Sequence, residues 1–511
     1  MRIATYKVAG ALLLCAVQIT LFAQSAPKPA GGVSLATSAE QESELRQKLG
    51  QISSELTQTR DQLERSRQQV EVLQSEILAI QKQLNPDLSA AAPSSSVGSP
   101  SLEDKVADLS EQQDILKAQV KLHDQTKVES SSKYPVRING LILFNAFVND
   151  GVVDNLDLPE IAGVPAAGVS NGSVGAGLRQ TILGVEGIGP RIAGARTFAN
   201  VSVDFFAGLS YGNFGTSAGT VRMRTASINM EWPENRLQFG MEGPLISPLS
   251  PTSYATVAQP AMAWAGNLWT WAPQVKFEHR IPMADASHLG LEFGLWDSPG
   301  AGASNSQLVR LPTPGELAKQ PAYEGRVSYS RDVGEHSLKL GLGGYYERQS
   351  YTGDVYADSW AATADWLLPI SKRFEVSGEG YRGRSLGGLG GGVYKDVVVG
   401  TNPITGLPAM RPLNAIGGWT QLKTRFGHML EANAVIGQDS GFAQDFHVLV
   451  LSPTATSLQL RARNEMIMGN MIFKPKTYFI LSPEYRRIMT WPINSPVRIA
   501  NIFTFSVGYE F

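Results

Sequence analysis

The residues from 496 to 511 alternate between apolar and polar side chains, which is the pattern of a β-strand. The apolar positions are Val497, Ile499, Phe503, Phe505, Val507, Tyr509 and Phe511. The positions between them are mostly small or polar, with Asn501 and Ile502 as the two exceptions to the alternation. A period of two places successive side chains on opposite faces of a strand. The sequence therefore predicts a strand with one apolar face that is rich in aromatic residues and one polar face.

An aromatic strand of this kind resembles the closing strand of Gram-negative outer-membrane barrels, whose final Phe is read by the barrel-assembly machinery. The resemblance implies that Phe511 is an assembly signal and that this machinery is a partner. A strand in a soluble β-sandwich can alternate in the same way. The other end of the chain favours the membrane interpretation.

The N-terminal residues have the features of a secretory signal. Basic residues precede an apolar run at residues 8–22, and Ala23 offers a small residue for cleavage. The run is shorter than the roughly 20 residues of a membrane helix. We expect residues 1–23 to be removed on export. Loss of Cys15 would leave no cysteine, which excludes disulfides, thiol catalysis and cysteine-bound metals.

Composition agrees with a membrane barrel. The formal net charge is −2, which gives no reason to expect nucleic acid as a partner. Only 18% of the residues are charged, below the usual quarter, as expected when many positions face lipid. The 51 glycines favour strands and turns.

The region before residue 135 predicts helix and linkers. A heptad repeat runs through Leu49, Leu56, Leu63, Val70, Ile77 and Leu84. A second repeat follows a Ser, Ala and Pro hinge, and such repeats are typical of coiled coils that bring chains together. The predicted segments are a linker at 24–40, a coiled coil at 41–85, a hinge at 86–100, a second coiled coil at 101–125 and a linker at 126–134.

Residues 135–511 change to the period of strands, and about sixteen segments alternate in this way. Their connections alternate between short and long. The predicted long connections are 149–177, 242–272, 297–322, 385–413 and 438–457. Periplasmic turns and extracellular loops alternate like this in outer-membrane barrels. The predicted fold is an all-β transmembrane barrel of about sixteen antiparallel strands, preceded by a periplasmic α-helical coiled coil. A barrel of this size leaves a water-filled channel.

This layout resembles the DcaP-like trimeric outer-membrane porins, which carry an N-terminal periplasmic coiled coil. Local matches are Arg-Gln-Thr at 179–181, Leu-Gly-Val-Glu at 183–186, Val-Asp-Phe-Phe at 203–206 and Pro-Gln at 273–274. In the family a basic residue often precedes that Pro-Gln, whereas Trp271 and Ala272 stand here. The resemblance implies passive uptake of small anionic solutes, such as dicarboxylates, by a homotrimer in the outer membrane.

Two other functions compete with a diffusion porin. A phosphate-selective porin would need a ladder of basic residues along the whole pore, but the basic residues collect towards one end of the predicted strands. A structural anchor would use the coiled coil to span the periplasm and bind peptidoglycan, although no wall-binding domain is visible in residues 24–134.

No enzyme signature is found, so we expect no catalytic residues, no cofactor and no metal. The glycine run at 387–392 lacks the Lys and Ser/Thr of a phosphate loop. The six histidines show no metal-ligand spacing.

The third long connection, 242–272, is rich in Pro and Trp, and it either folds into the lumen or covers the barrel top. Aromatic residues near strand ends predict an interfacial girdle. Trp232, Trp360, Trp366, Trp419, Tyr485, Trp491 and Tyr509 belong to that set.

Basic residues fall mainly in the half of each strand that faces the cell exterior if the first strand runs outward. Three arginine pairs, 222 with 224, 382 with 384 and 461 with 463, are each predicted to share a face. They line the pore or else point outward to lipopolysaccharide phosphates. The candidate pore-lining, solute-attracting residues are Lys276, Arg326, Arg486, Arg498, Arg222, Arg224, Arg461 and Arg463. Salt should screen the attraction of such a vestibule for anions.

Overall fold

A computed structural model describes residues 135–165, 168, 170–208, 219–297, 311–333, 336–351, 355–452 and 457–511. The predicted signal peptide, linkers and coiled-coil segments, residues 1–134, lie outside the described residues.

The described chain is built almost entirely of strands. In order they are β1 Val136–Asp150, β2 Gly172–Gly177, β3 Ile182–Ile188, β4 Arg196–Asp204, β5 Arg222–Glu231, β6 Asn235–Glu242, β7 Ala272–Pro282, β8 Ser287–Trp296, β9 Ala322–Val333, β10 His336–Tyr351, β11 Val355–Pro369, β12 Phe374–Arg384, β13 Val397–Thr401, β14 Pro408–Pro412, β15 Asn414–Phe426, β16 Leu430–Gly441, β17 Arg461–Lys476, β18 Phe479–Pro492 and β19 Arg498–Glu510. Four short helical turns occupy Pro314–Leu317, Gly387–Leu389, Ala443–His447 and Ser457–Leu460. Among the described residues no helix is both long and apolar enough to cross a bilayer.

The sheet closes on itself, because β1 pairs with β19 along Leu141–Asp150. Each neighbouring pair is antiparallel. β2 and β3 pair with successive parts of β1, so together they fill one position in the wall. The result is a closed barrel of sixteen strand positions, which confirms the predicted barrel. The hairpin β13–β14 lies outside the wall sheet.

The two rims of the barrel differ in the length of their connections. One rim, called here the short-turn rim, carries connections of two to seven residues and the start of β1. The opposite, long-loop rim carries eight connections. They are L1 (151–171), L2 (205–221), L3 (243–271), L4 (297–321), L5 (352–354), L6 (385–413), L7 (442–460) and L8 (493–497). L5 and L8 are short, so the predicted alternation of short and long connections is interrupted at these two places.

The sequence also predicts one strand at 178–187, and this is where the wall differs most clearly from the prediction. The chain leaves the ladder at residues 178–181 and forms two strands where one was expected. The break lets the Thr181 hydroxyl accept a hydrogen bond from Leu143 N–H at 3.1 Å. It also turns Gln180 into the lumen, where it contacts L3.

Side chains alternate between the two faces of the wall, as a period of two requires. The outer face is apolar, as a lipid-facing surface must be. Its exposed members include Ile138, Phe144, Ile228, Phe277, Leu291, Val327, Leu342, Leu422, Ile436, Ile467 and Phe503. The inner face carries buried polar residues, among them Asn145, Asp204, Asn229, Glu324, Asp365, Glu379, Gln421, Asn464, Glu484 and Ser506.

Candidate functional site in the barrel lumen

L3 folds into the lumen and follows the inner wall. Hydrogen bonds hold its first half to the wall, and five of them mark its path. They join Leu245 N to Glu324 Oε2 (2.9 Å), Leu249 N to Glu379 Oε1 (2.6 Å), Thr252 N to Gln421 Oε1 (2.7 Å), Ser253 Oγ to Glu484 Oε2 (2.6 Å) and Tyr254 OH to Glu510 Oε1 (3.2 Å). The acceptors lie in turn on β9, β12, β15, β18 and β19. L3 therefore advances around the wall as it proceeds.

Gln180 continues the circuit beyond the closing seam of the barrel. Its side-chain oxygen accepts hydrogen bonds from Val257 N–H at 2.7 Å and Ala258 N–H at 3.0 Å. Its amide nitrogen donates to Ala255 O at 2.9 Å. Arg224 on β5 then donates to Val257 O at 2.5 Å. L3 thus makes an almost complete circuit of the inner wall. Of the two alternatives predicted for this connection, it folds into the lumen and does not cover the barrel top.

The second half of L3 packs through apolar contacts. Ala261, Met262 and Ala265 are buried against Trp419, Val435, Met466, Met468, Ile488, Ala500 and Ile502. This packing explains Ile502, the apolar residue on the polar face of the last strand. Trp419 points inward to L3, so its predicted place in the girdle was wrong.

Gly266 brings L3 into direct contact with the wall backbone. Its φ is +101°, and a β-carbon there would lie 2.3 Å from Gly418 O and 2.5 Å from Gln438 O. Real β-carbons essentially never approach other atoms so closely, and φ in this region favours glycine. The position therefore accepts no side chain while L3 remains docked.

L1 also folds inward, onto β17 and β18. Arg486 donates to Pro159 O at 2.9 Å, and Ala162 N–H donates to the Thr490 hydroxyl at 3.1 Å. Glu160 is buried with its carboxyl 3.9 Å from Arg486. Burial raises the pKa of the Glu160 carboxyl to about 8, although Arg486 acts in the opposite direction.

L6 reaches the same region from the opposite side of the lumen. Val393 N–H donates to Asp439 Oδ2 at 3.0 Å, and Tyr394 stacks on Trp264 of L3 with ring centres 4.2 Å apart. The ammonium group of Lys395 donates to Arg461 O. Burial lowers the pKa of Lys395 to about 7, and the nearby Arg461 cation acts in the same direction. L1, L3 and L6 together narrow the lumen.

Several candidate basic residues face the lumen but are paired with acids. Arg486 is 1% exposed and donates to Glu484 at 2.9 Å. Arg326 makes two bonds to Asp365, at 2.8 and 2.9 Å, and a third to Glu292. These pairs hold the wall together and add little net charge.

A β-bulge decides where Arg222 and Arg224 point. The register with β4 shifts between Ser202 and Val203, which leaves Arg224 as the extra residue of β5. Without the bulge, both arginines would share the lipid-facing side with Ile228. With it they face inward, where Arg222 binds Asp204 at 2.7 Å, as predicted for a pair that shares one side.

These two arginines lie beside Trp271 of L3. The Arg224 guanidinium is 4.8 Å from the centre of the Trp271 ring, and that of Arg222 is 5.6 Å away. Positive charge therefore reaches this part of the lumen from β5.

A second bulge separates Arg461 from Arg463, which were predicted to share a face. Arg461 turns inward over Trp264, at 4.7 Å. Arg463 turns outward, binds Glu465 and lies 4.4 Å from the centre of the Trp491 ring. Arg463 was therefore wrongly predicted to line the pore.

Three candidates are less fully neutralised by neighbouring carboxylates. Arg498 lies on the inner parity of β19, and within the described residues its side chain has no hydrogen bond or ion pair. Arg461 is buried, and no carboxylate of the described residues lies within 4.0 Å of it. Lys276 donates to Gly243 O at 2.8 Å and is 4.0 Å from Glu242.

The acceptors that hold L3 were missed in the sequence. Glu324, Glu379 and Glu484 each lie at a polar position in the alternation of their strand. An acid at such a position is the sequence feature from which an inward-facing acceptor for L3 could have been predicted. Among the described residues, no cluster of His, Cys, Asp and Glu could hold a metal ion.

A closed sixteen-strand barrel with an apolar outer face and an inward-folded third loop defines the porin class of transmembrane fold. The structure is similar to the outer membrane channel DcaP of Acinetobacter baumannii, with a TM-score of 0.54 and 14% identity over 74% of this chain and 99% of that chain. This confirms the predicted resemblance at the level of the fold. Looser similarity is found to an anion-selective porin from Comamonas acidovorans, with a TM-score of 0.46, 11% identity and coverage of 74% and 100%. No protein-family model and no curated protein sequence matches the chain.

Proposed function

We propose that this chain is a passive diffusion channel of the bacterial outer membrane for small hydrophilic solutes, with a preference for anions. The observation that carries the proposal is L3. Its circuit of the inner wall sets the cross-section that a solute meets inside the barrel. Bonds to five strands hold it there, so the constriction belongs to the folded wall.

The preference for anions rests on the lumen charges that no carboxylate neutralises. Arg498 and Arg461 are the clearest cases among the described residues, and Arg224 shares Asp204 with Arg222 at 3.7 Å. An unpaired cation on the wall raises the local concentration of anions and lowers their entry barrier. The chemistry suits small carboxylates, such as dicarboxylates, as solutes.

Assembly as a homotrimer is part of this proposal. It is supported by the heptad repeats and by one sector of the outer wall. The outward residues of β2 to β5 carry no aromatic ring, and several of them are small, among them Ala176, Ala199 and Ala226. Such a surface suits close packing against another barrel.

Insertion by the barrel-assembly machinery is also proposed, with Phe511 as the residue that is read. The exposed Phe511 side chain supports this role. The coiled coil is proposed to lie in the periplasm.

Planar-bilayer recording of the purified full chain tests the proposal. We expect discrete conductance steps and, under a salt gradient, a reversal potential that favours anions. Salt should reduce the preference, because the Debye length falls from about 10 Å at 0.1 M to about 3 Å at 1 M. Absence of conductance steps would instead support a structural anchor. Steps with cation preference would retain the channel and remove the anion preference.

A further inference from the structure

Three strands carry a group of arginines on the outer face at the long-loop rim. Arg348 lies near the end of β10, and Arg382 and Arg384 lie at the end of β12. Asp358, on β11 between them, is the acid of the group. We call these four residues the rim arginine patch. All four share the outward parity of their strands, in line with the exposed Leu342.

The patch is positively charged because the carboxylate of Asp358 forms an ion pair with only one of the three arginines. Asp358 Oδ1 binds Arg348 at 3.0 Å. Arg384 reaches only the backbone oxygen of Asp358, also at 3.0 Å. Arg382 donates to the backbone oxygens of Gly383 and Ala415, and no ion pair of Arg382 or Arg384 occurs within the described chain. Three arginines against one aspartate leave a net charge of +2.

Aromatic rings surround the patch and fix its depth in the bilayer. Arg382 lies 4.2 Å from the centre of the Phe442 ring and 5.6 Å from that of Trp360. The Tyr346 hydroxyl donates to Asp358 at 3.0 Å. Trp and Tyr concentrate at the level of lipid headgroups. The guanidinium groups therefore lie at the headgroup level of the leaflet at the long-loop rim.

The patch is open to lipid from the side. Arg348 is exposed, and Arg382 and Arg384 are half-buried on the same outer face. The same patch also lies away from the sector of β2 to β5 that is proposed to contact a second barrel. Lipid headgroups are therefore the molecules that meet it.

We propose that the rim arginine patch binds the phosphate groups of lipopolysaccharide at its lipid A headgroup. Arg matches phosphate oxygens with two parallel hydrogen bonds, and such bonds between charged groups are strong. The aromatic rings hold the guanidinium groups at the surface without neutralising them. The site is on the outer wall, so it works independently of conduction through the lumen.

Binding of purified lipopolysaccharide to the detergent-solubilised full chain, followed by native mass spectrometry, tests the proposal. The triple variant Arg348→Gln, Arg382→Gln, Arg384→Gln should bind about tenfold or more weakly, since each lost charge-assisted pair weakens the complex. Arg463→Gln is the matched control, because Arg463 also faces outward near this rim but is neutralised by Glu465. It should bind as the wild type does.

Three further measurements complete the test. Lipopolysaccharide with its phosphates removed should bind the wild type as weakly as intact lipopolysaccharide binds the triple variant. The Lys variant at the same three positions should bind with intermediate affinity and should show the heat-modifiable migration of a folded barrel. Inorganic phosphate at millimolar concentration should not displace the lipid. Wild-type affinity in the triple variant, indifference to phosphate removal, or full displacement by inorganic phosphate would overturn the proposal.

Discussion

Arg486 and Arg487 are neighbours on β18, and they show how different the two faces of one wall are. Arg486 points into the lumen, is 1% exposed, and binds Glu484 and the L1 backbone. Arg487 points outward, and within the described residues its side chain has no hydrogen bond or ion pair. Inside the barrel most arginines are paired with acids, with Arg461 and Arg498 as exceptions, whereas on the outer face several arginines remain without a carboxylate.

The difference follows from the surroundings of each face. A charge buried between the wall and a docked loop has little access to water, so leaving it unpaired costs several kcal/mol. An outward Arg near the interface costs only about 0 to 1 kcal/mol. The number of arginines in one half of the barrel therefore does not measure the charge of the pore, and the unpaired residues inside are the ones that matter.

Displacing L3 should give the largest effect, because only the inner face carries a docked loop. Gly266→Val forces a side chain into the wall backbone, and we expect L3 to detach. Single-channel conductance should increase severalfold, and larger sugars should permeate in liposome swelling.

Gly325→Val is the control, since its outward β-carbon would lie 3.7 Å from Glu292 O, an ordinary contact. It should conduct as the wild type does. Unchanged conductance in folded Gly266→Val would show that L3 does not limit the pore.

Removing one unpaired charge on each face should give an intermediate effect. Arg498→Gln should reduce anion preference, and Arg487→Gln should leave it unchanged. One charge about 10 Å from an anion in water changes its local concentration about twofold, and salt reduces this further. Reversal potentials in a dilute salt gradient measure the difference. Equal shifts in both variants would mean that the face of the wall is irrelevant to selectivity.

The smallest effect concerns pH and the docking of L1. The pKa of Glu160 is raised from its ordinary value of 4.5 to about 8 by burial, so the docked loop holds a proton that the free loop releases. Docking is therefore strongest below about pH 4.5 and weakens as pH rises to about 8. Brief conductance fluctuations should become more frequent over this range.

Glu160→Gln should abolish that dependence, since the amide does not titrate. Glu186→Gln changes another inward carboxylate, on β3, and should retain the wild-type response. A wild-type response in Glu160→Gln would assign the fluctuations to another group.

Much of the wall could be predicted from the sequence, because alternation along a strand reports directly which face is apolar. Arg486 and Arg498 were placed on the correct side in this way. Parity fails where a bulge inserts one residue, and so the sequence did not separate Arg461 from Arg463. The bonds that hold L3 were also beyond sequence reasoning. Leu249 and Glu379 meet only because the barrel closes, and no local pattern records such a long-range contact.

The seam between β1 and β19 means that the barrel cannot close until the last strand of the chain pairs with the first. The ladder from Leu141 to Asp150 joins the first strand to the last, and Phe511 exchanges backbone hydrogen bonds with Gly140 at 3.0 and 3.1 Å. Contacts between such distant parts of a chain form slowly. Until β19 is in place, β1 has a free edge that can pair with another chain and aggregate. The edge of β1 is therefore open to such pairing until the last strand of the chain has formed.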